Sequence, residues 1–323
     1  MNAFSYEHCL SFLNQSPLPW IRYNLKKEIG FESDKEAASL LSHVINDTAI
    51  QTWLSECLLW PEPPLVRHND AKHPIHKISL LIDLGLDATL PEIRQIVDQM
   101  MANQSSDGAF LSTLKIPSHF GGDDQPHLQW MTCDFPVVLY NLIALGYENE
   151  PPVKKGIDCL GNICDENGWR CKSSIPKFRG PGRKTDHCPY GNLVALKAFC
   201  LLPNTHQEPF IKNAIDQLTG MWHERGQKKY FLFGIGTDFQ KLKFPSLWFE
   251  IIHVMRILSY YDYAKQSSAY QELLDIILNK QQPDGGFIPE SIYMAFKGWD
   301  FGQKKISSPT LTLAIKQIFD RSE

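Results

Sequence analysis

The chain has 323 residues, 43% of them hydrophobic, with a net charge of −4. That length admits one large domain or two ordinary ones, and the apolar content excludes global disorder. The acidic balance argues against a general nucleic-acid binder, which needs a basic face.

Pro19 opens a first helix through Trp20, Tyr23 and Leu25, and Gly30 can end it. Ser33 caps a second, with Glu36 completing a capping box and Ala37, Leu40, Leu41 and Val44 as its apolar stripe. Asp47 caps a third over Ile50, Trp53, Leu54, Cys57 and Leu58. The proline-rich stretch 60–64 then separates an N-terminal helical segment, residues 1–62, from a main body, residues 63–323. His73-Pro74 opens a helix that runs to Gly85, and Pro91 opens its partner through Met100. The same pairing recurs from Pro136 and Pro152, from Pro189 and Pro209, and from Pro245 and Tyr270, with a last helix from Pro309. Proline suits these first turns because its missing N–H is no loss there and its φ is already helical. Strand-period alternation is almost absent; the run 230–236 reads equally as a short strand or a buried loop.

Gly108, Gly168, Gly226 and Gly286 are spaced by 60, 58 and 60 residues, and the initiating prolines keep a similar step. A long fixed period with two helices per repeat means stacked helical hairpins, which an open solenoid and a closed ring satisfy equally. Residues 104–110 and 282–287 approximate a helix end of the form Q-x-x-x-G-x-aromatic; Asn167-Gly168-Trp169 and Arg225-Gly226 are weaker instances. The pattern resembles the repeat of the terpenoid cyclases and of the protein prenyltransferase β-subunits, over roughly residues 65–320. It also resembles bacterial proteins of squalene-cyclase type that carry this repeat without an agreed activity. The resemblance implies an all-α fold, an α/α toroid of repeated helical hairpins with an N-terminal helical extension. It says little about the reaction, since one fold hosts many chemistries.

In such a ring the inner helices start at one mouth, which would gather His68, His73, His76, Cys133, Asp134, Asp186, His187, Cys188 and Trp248. Asp186-His187-Cys188 admits three readings: zinc ligation, an activated cysteine or histidine without metal, or a cap at Asp186 with Cys188 as a small apolar filler. Asp-x-Cys followed by Tyr190 resembles the zinc-binding Asp and Cys of the prenyltransferases. The histidine expected at a later helix head is missing, and Cys133, Asp134 and His76 are the substitutes. Asp134 reads first as the N-cap of the helix that follows it. The eight cysteines (Cys9, Cys57, Cys133, Cys159, Cys164, Cys171, Cys188, Cys200) are dispersed, unlike a disulfide scaffold, and read as free thiols or ligands in a reducing compartment.

Three basic loops, 177–184, 234–245 and 300–305, each precede an inner helix and predict an anion site from Arg179, Arg183, Lys241, Lys243 and Lys304, lined by Tyr190 and Trp248. No D-x-D-D or D-D-x-x-D motif occurs, nor a serine triad, Rossmann fingerprint or nucleotide loop. No run of eighteen apolar residues occurs, and the first ten residues lack the features of a signal peptide, so a soluble cytoplasmic protein is expected.

With the resemblance, these readings imply a transferase or cyclase acting on an anionic, partly apolar small molecule such as an isoprenoid diphosphate. Asp186, His187, Cys188, Cys133 and Asp134 would do the chemistry, with zinc held by Asp186, Cys188, Cys133 and His76. The alternatives are a non-catalytic toroid that binds a peptide or metabolite, and a zinc-dependent thiol cyclase or transferase.

Overall fold

The computed structural model describes residues 4–166, 168–180, 186–229 and 233–323. Among them the elements, in chain order, are α1 (Tyr6–Asn14), α2 (Pro19–Ile29), α3 (Asp34–Ile45), α4 (Thr48–Cys57), α5 (Pro74–Asp83), α6 (Pro91–Ala102), β1 (Ser112–Lys115), β2 (Pro126–Gln129), α7 (Phe135–Ala144), α8 (Pro151–Asn162), α9 (Pro189–Phe199), α10 (Pro209–His223), α11 (Ile251–Leu258), α12 (Asp262–Lys265), α13 (Ser268–Leu278) and α14 (Pro309–Ser322), with short 3-10 turns between some of them. The fold class is all-α: helix takes 51% of the chain and strand 5%. No helix among the described residues is long and apolar enough to cross a membrane.

Local chemistry explains most helix starts. α2, α5, α6, α9, α10 and α14 begin at prolines, where the ring removes only an N–H that has no intrahelical partner. Ser33 Oγ accepts from Glu36 N at 3.2 Å, while the Glu36 carboxylate takes the Glu32 N–H at 2.7 Å, one residue ahead of the usual capping box. Asp47 Oδ1 accepts from Ala49 and Ile50 at 2.9 and 3.3 Å and so caps α4.

The fourth expected inner helix departs from this pattern. The sequence predicts a start at Pro245, but α11 begins at Ile251, and the Phe244–Pro245 peptide is cis. The backbone before α11 has partners elsewhere. Leu242 O accepts the N–H groups of Glu290 and Ser291 at 2.8 and 3.2 Å, and Ile251 N donates to Phe239 O at 2.9 Å.

The antiparallel pair β1–β2, from Ser112 opposite Gln129 to Lys115 opposite Pro126, also went unread in the sequence. Four-residue strands with the burial pattern of β1, three buried in succession, carry no alternation to detect. Of the run 230–236, residues 230–232 lie outside the described residues, as does Asn167.

The chain groups into two compact units. The first comprises Met1–Trp53, Leu80–Leu86 and Thr237–Glu323. Here the N-terminal helices share a core with the C-terminal third. Trp53 stacks on Trp299 at 4.4 Å between ring centres, Trp20 Nε1 donates to Thr310 Oγ1 at 2.9 Å, and Arg256 forms a two-pronged ion pair with Asp83 at 2.6 and 2.8 Å. The second comprises Leu54–Ser79 and Asp87–Gly236. In it α9, buried along its whole length, packs on α7 and on α10, and α8 packs on α7. α6, α8 and α10 bury one face each, the signature of helices that flank a core rather than fill it.

The expected repeat is visible in part as a recurring turn: Gly226, φ 87°, donates no such bond among the described residues, and in the last repeat Gly285 rather than the expected Gly286 holds the turn position. Gly108 N donates to Ser105 O, Gly168 N to Asp165 O and Gly285 N to Gln282 O, at 3.0, 2.8 and 2.9 Å. The three glycines have φ of 103°, 70° and 89°, the left-handed backbone that side chains disfavour. At Gly108 a Cβ would also meet Lys155 O at 2.6 Å, whereas at Gly146, φ 88°, nothing lies within 4 Å. Gly146→Ala should therefore cost only the strain of the backbone, about 1–3 kcal/mol. Gly108→Ala should add an overpacking cost of about 1–3 kcal/mol. Urea unfolding of the two variants measures the difference, and equal stabilities would show that the turn does not press on Lys155.

Candidate functional site

In the second unit a loop segment, residues 169–173, is clamped between the heads of α7 and α9. On the α7 side Thr132 N donates to Lys172 O at 3.1 Å, Lys172 N donates to Thr132 Oγ1 at 3.1 Å, and Thr132 Oγ1 donates to Arg170 O at 2.9 Å. On the α9 side Asn192 Nδ2 donates to Trp169 O at 3.2 Å while Asn192 Oδ1 accepts from Trp169 N at 3.2 Å. The clamp brings Cys171 beside Cys133, which precedes α7, and Cys188, which precedes α9. The three sulfurs are near enough for Cys171 and Cys188 to shift the titration of Cys133.

Cys188 occupies the N-cap position of α9, and its Sγ accepts the Gly191 N–H at 3.3 Å. Sulfur thus caps the helix, the role that one of the three sequence readings gave to Asp186. The Cys133 and Cys188 thiols do not titrate alike. Hydrogen bonds with Cys171 and Cys188, and then burial, push the Cys133 thiol well above its usual value. The hydrogen bond from Cys133 lowers Cys188, against burial, with help from the backbone N–H groups of Gly191 and Tyr190 and the charge of His68. Of the two, Cys188 gives up its proton more readily than Cys133.

His68 completes the cluster. Its Nδ1 lies 2.9 Å from Asp134 Oδ1. Burial alone would depress this imidazole, but the Asp134 charge and hydrogen bond, with the fields of Cys171 and Cys188, lift its pKa to about 9. Asp134 stands at the N-cap position of α7 as predicted, yet its side chain makes no cap. It is buried, Oδ1 goes to His68, and Oδ2 has no hydrogen-bond partner among the described residues.

The other histidines hold the loop. His76 Nε2 donates to the His68 carbonyl at 2.6 Å; His73 Nε2 donates to Pro63 O at 2.8 Å, and its Nδ1 accepts from Ile75 N at 3.2 Å. Leu65, three residues before His68, joins the hairpin through Leu65 N to Thr113 O at 2.8 Å and Lys115 N to Leu65 O at 3.0 Å. It packs with Leu114, Ile116 and Met131 in a small apolar cluster that Cys171 also touches.

Of the residues read from the sequence, Cys133, Cys188, Asp134 and His68 come together. Cys171, which the sequence offered only as one of eight dispersed cysteines, joins them. His76 gives its Nε2 hydrogen to the His68 backbone carbonyl. Asp186 is half-buried, and its charge falls on His187. Among the described residues no group of three or more His, Cys, Asp and Glu side chains is arranged to hold a metal ion.

The basic residues are dispersed in their contacts. Lys241 is ion-paired with Asp238, Lys243 lies over the Tyr293 ring, and Arg179 and Lys304 are exposed. Tyr190 is buried within α9 and Trp248 is half-buried before α11. Arg183 lies outside the described residues. No protein-family model matches the chain, and no curated protein is similar to it.

The histidines set a pH profile for stability. His68, lifted from 6.5 to about 9, stabilises the fold fully below about pH 6.5, and that contribution is lost as the pH rises through about 9. His76 and His187 run the other way: burial first holds both near 4, so the unfolded chain takes up protons earlier and stability falls as the pH drops from 6.5 towards 4. Urea midpoints measured between pH 4 and pH 9.5 should show both limbs, and Asp134→Asn should flatten the alkaline limb alone. An alkaline limb unchanged in Asp134→Asn would show that Asp134 does not hold the His68 proton.

Proposed function

We propose that the chain is an enzyme that transfers a group through the Cys188 sulfur, with His68 as its acid and Asp134 holding His68. The observation that carries this reading is the setting of Cys188. It is a buried sulfur at the start of a buried helix, taking the Gly191 N–H, its pKa lowered chiefly by the Cys133 thiol and also by the His68 imidazole. A helix N-terminus and a neighbouring imidazolium are the two devices that turn a cysteine into a nucleophile near neutral pH. Its thiolate would attack an activated acyl or alkyl carbon. As the S–C bond forms, the bond to the leaving group breaks and His68 gives its proton to the departing atom. Leu65, Leu114, Ile116 and Met131, packed against Cys171, suit an apolar substituent.

The wider reading belongs with this one. The repeated glycine turns and proline-started helices support an α/α toroid of helical hairpins. The expected substrate class, an anionic and partly apolar molecule such as an isoprenoid diphosphate, draws support from the positive His68 beside an apolar cluster.

A second reading rests on Cys171, which a lone nucleophile does not need. Three thiols and an imidazole are a donor set that zinc accepts, and a carboxylate-held imidazole is a common support for such a ligand. In that reading the thiols would close around the ion from their present arrangement.

Alkylation separates the two. With substoichiometric iodoacetamide, mass spectrometry should find Cys188 labelled first, with a rate that levels off well below the ordinary thiol value of about 8.5. His68→Asn should slow that labelling and shift its midpoint upward. Cys188 labelling no faster than that of Cys133 would overturn the nucleophile. About one zinc per chain in protein purified without chelator, lost in Cys171→Ala, would give the sulfurs to a metal instead.

A further inference from the structure

In the second unit, the segment before α7 and the loop that carries Cys171 run side by side as a short antiparallel pair. Met131 bridges Ser173. Ser174 N donates to Trp130 O and Thr132 N to Lys172 O, both at 3.1 Å. The next step of this register sets Cys133 opposite Cys171. The Thr132 side chain ties that step down: its hydroxyl donates to Arg170 O at 2.9 Å and accepts from Lys172 N at 3.1 Å. The residue before Cys133 thus holds both neighbours of Cys171.

Backbone bonds fall at Trp130–Ser174 and Thr132–Lys172, which leaves Cys133–Cys171 at a position without them. At such positions of an antiparallel pair, opposite Cα atoms lie about 4.5 Å apart and the side chains are closest. A disulfide spans about 4.4–6.8 Å between Cα atoms, so this backbone can take one with little movement. Both cysteines are free thiols, Cys133 buried and Cys171 partly exposed, so a small oxidant meets Cys171 first. Cys188 is a poorer partner for either, because its buried sulfur caps α9 and takes the Gly191 N–H at 3.3 Å.

We propose that Cys133 and Cys171 form a disulfide under hydrogen peroxide, and that this bond switches off the neighbouring Cys188. The Cys171 sulfur attacks one peroxide oxygen, the O–O bond breaks, and the departing hydroxide leaves as water with the thiol proton, giving a sulfenic acid. The Cys133 sulfur then attacks the Cys171 sulfur. The S–S bond forms, the S–O bond breaks, and a second water leaves with the Cys133 proton. The two thiols are oxidised by two electrons and the peroxide is reduced. The bond itself does not depend on what Cys188 does; its effect on Cys188 rests on the nucleophile proposed above. Once Cys133 is in a disulfide, Cys188 loses the thiol that does most to lower its pKa, and less of it is thiolate near neutral pH.

The test is treatment of the full chain with near-stoichiometric hydrogen peroxide, followed by alkylation without reductant and mass-spectrometric mapping of linked peptides. A Cys133–Cys171 link should appear, be reversed by dithiothreitol, vanish in Cys171→Ser and persist in Cys188→Ser. Thermal unfolding reports whether the variants are folded, and the map of the unsubstituted chain decides the pairing without them. Iodoacetamide labelling of Cys188 should be about tenfold or more slower in the oxidised chain, the loss of thiolate that a rise of about one pKa unit brings, and should recover on reduction. A link from Cys188 to either of the others, or Cys171 oxidised further while Cys133 stays free, would overturn the pairing. A Cys133–Cys171 link with Cys188 labelling unchanged would overturn the switch. Slow labelling of Cys188 already in the reduced chain would overturn the nucleophile and the switch with it, while the link is judged on its own map.

Discussion

A helix that starts inside a protein must find acceptors for N–H groups that water cannot reach. At α9, buried from Pro189 to Phe199, the acceptor is sulfur. That choice orders the charges around it. A sulfur that receives backbone N–H groups gains most when it is a thiolate, and the Cys188 pKa is accordingly lowered while that of Cys133 is raised. A buried thiolate in turn needs a positive neighbour, since an unpaired charge there would be expelled by neutralisation. His68 supplies that charge, and the Asp134 carboxylate keeps His68 protonated against its own burial. Asp134, His68, Cys188 and Cys133 thus act on one another through their charges, and removing one changes the setting of the rest.

The same set explains why the surrounding loops are so heavily tied. The Thr132 and Asn192 side chains each exchange two hydrogen bonds with the segment between them. Those bonds fix Cys171 and Cys188 against α7. A nucleophile or a ligand held by loops alone would be too loose to share protons. Here both loops are stapled to helix ends, and the His76 ring staples the His68 backbone as well. The loops carry the chemistry, and the helices α7 and α9 supply the rigidity.

What could be read from the sequence follows a physical division. Proline at a first helical position and glycine at a positive φ act through their own backbone geometry, so α5, α6, α9 and α14 and the turns at Gly108 and Gly168 were legible from local pattern. The start of α11 was not, because Leu242 and Ile251 find their backbone partners at Glu290, Ser291 and Phe239. The site divides in the same way. Cys133, Asp134 and Cys188 were marked by their place before helix-starting prolines. Cys171 carries no such mark: it sits in an irregular loop whose position depends on bonds to residues some forty positions earlier and twenty later. His76 looked like a ligand for the same local reason that His68 did. Only the tertiary contact shows that one ring faces a carbonyl and the other a carboxylate.

The helix heads themselves suggest a rule for finding such residues. Ser33, Asp47 and Ser308 stand before helices and bond the N–H groups that follow them. Their polarity is accounted for by the backbone, and nothing further need be asked of them. Asp134 and Glu250 also stand at N-cap positions and are more deeply buried than most caps, yet neither side chain caps its helix. A carboxyl that passes over several nearby N–H donors has lost a stabilisation of about 1 kcal/mol and kept the cost of its own burial. The loss is offset where another group claims the carboxyl. For Asp134 the claimant is the His68 imidazole. For Glu250 no protein group makes that contact among the described residues, only the unbonded charge of Lys243. Two carboxyls in equivalent local positions thus differ in what they meet, one bonded to the His68 imidazole and the other, its pKa raised by burial, with an oxygen unbonded among the described residues. Sequence position made them look alike, and the charge placed beside each one sets them apart.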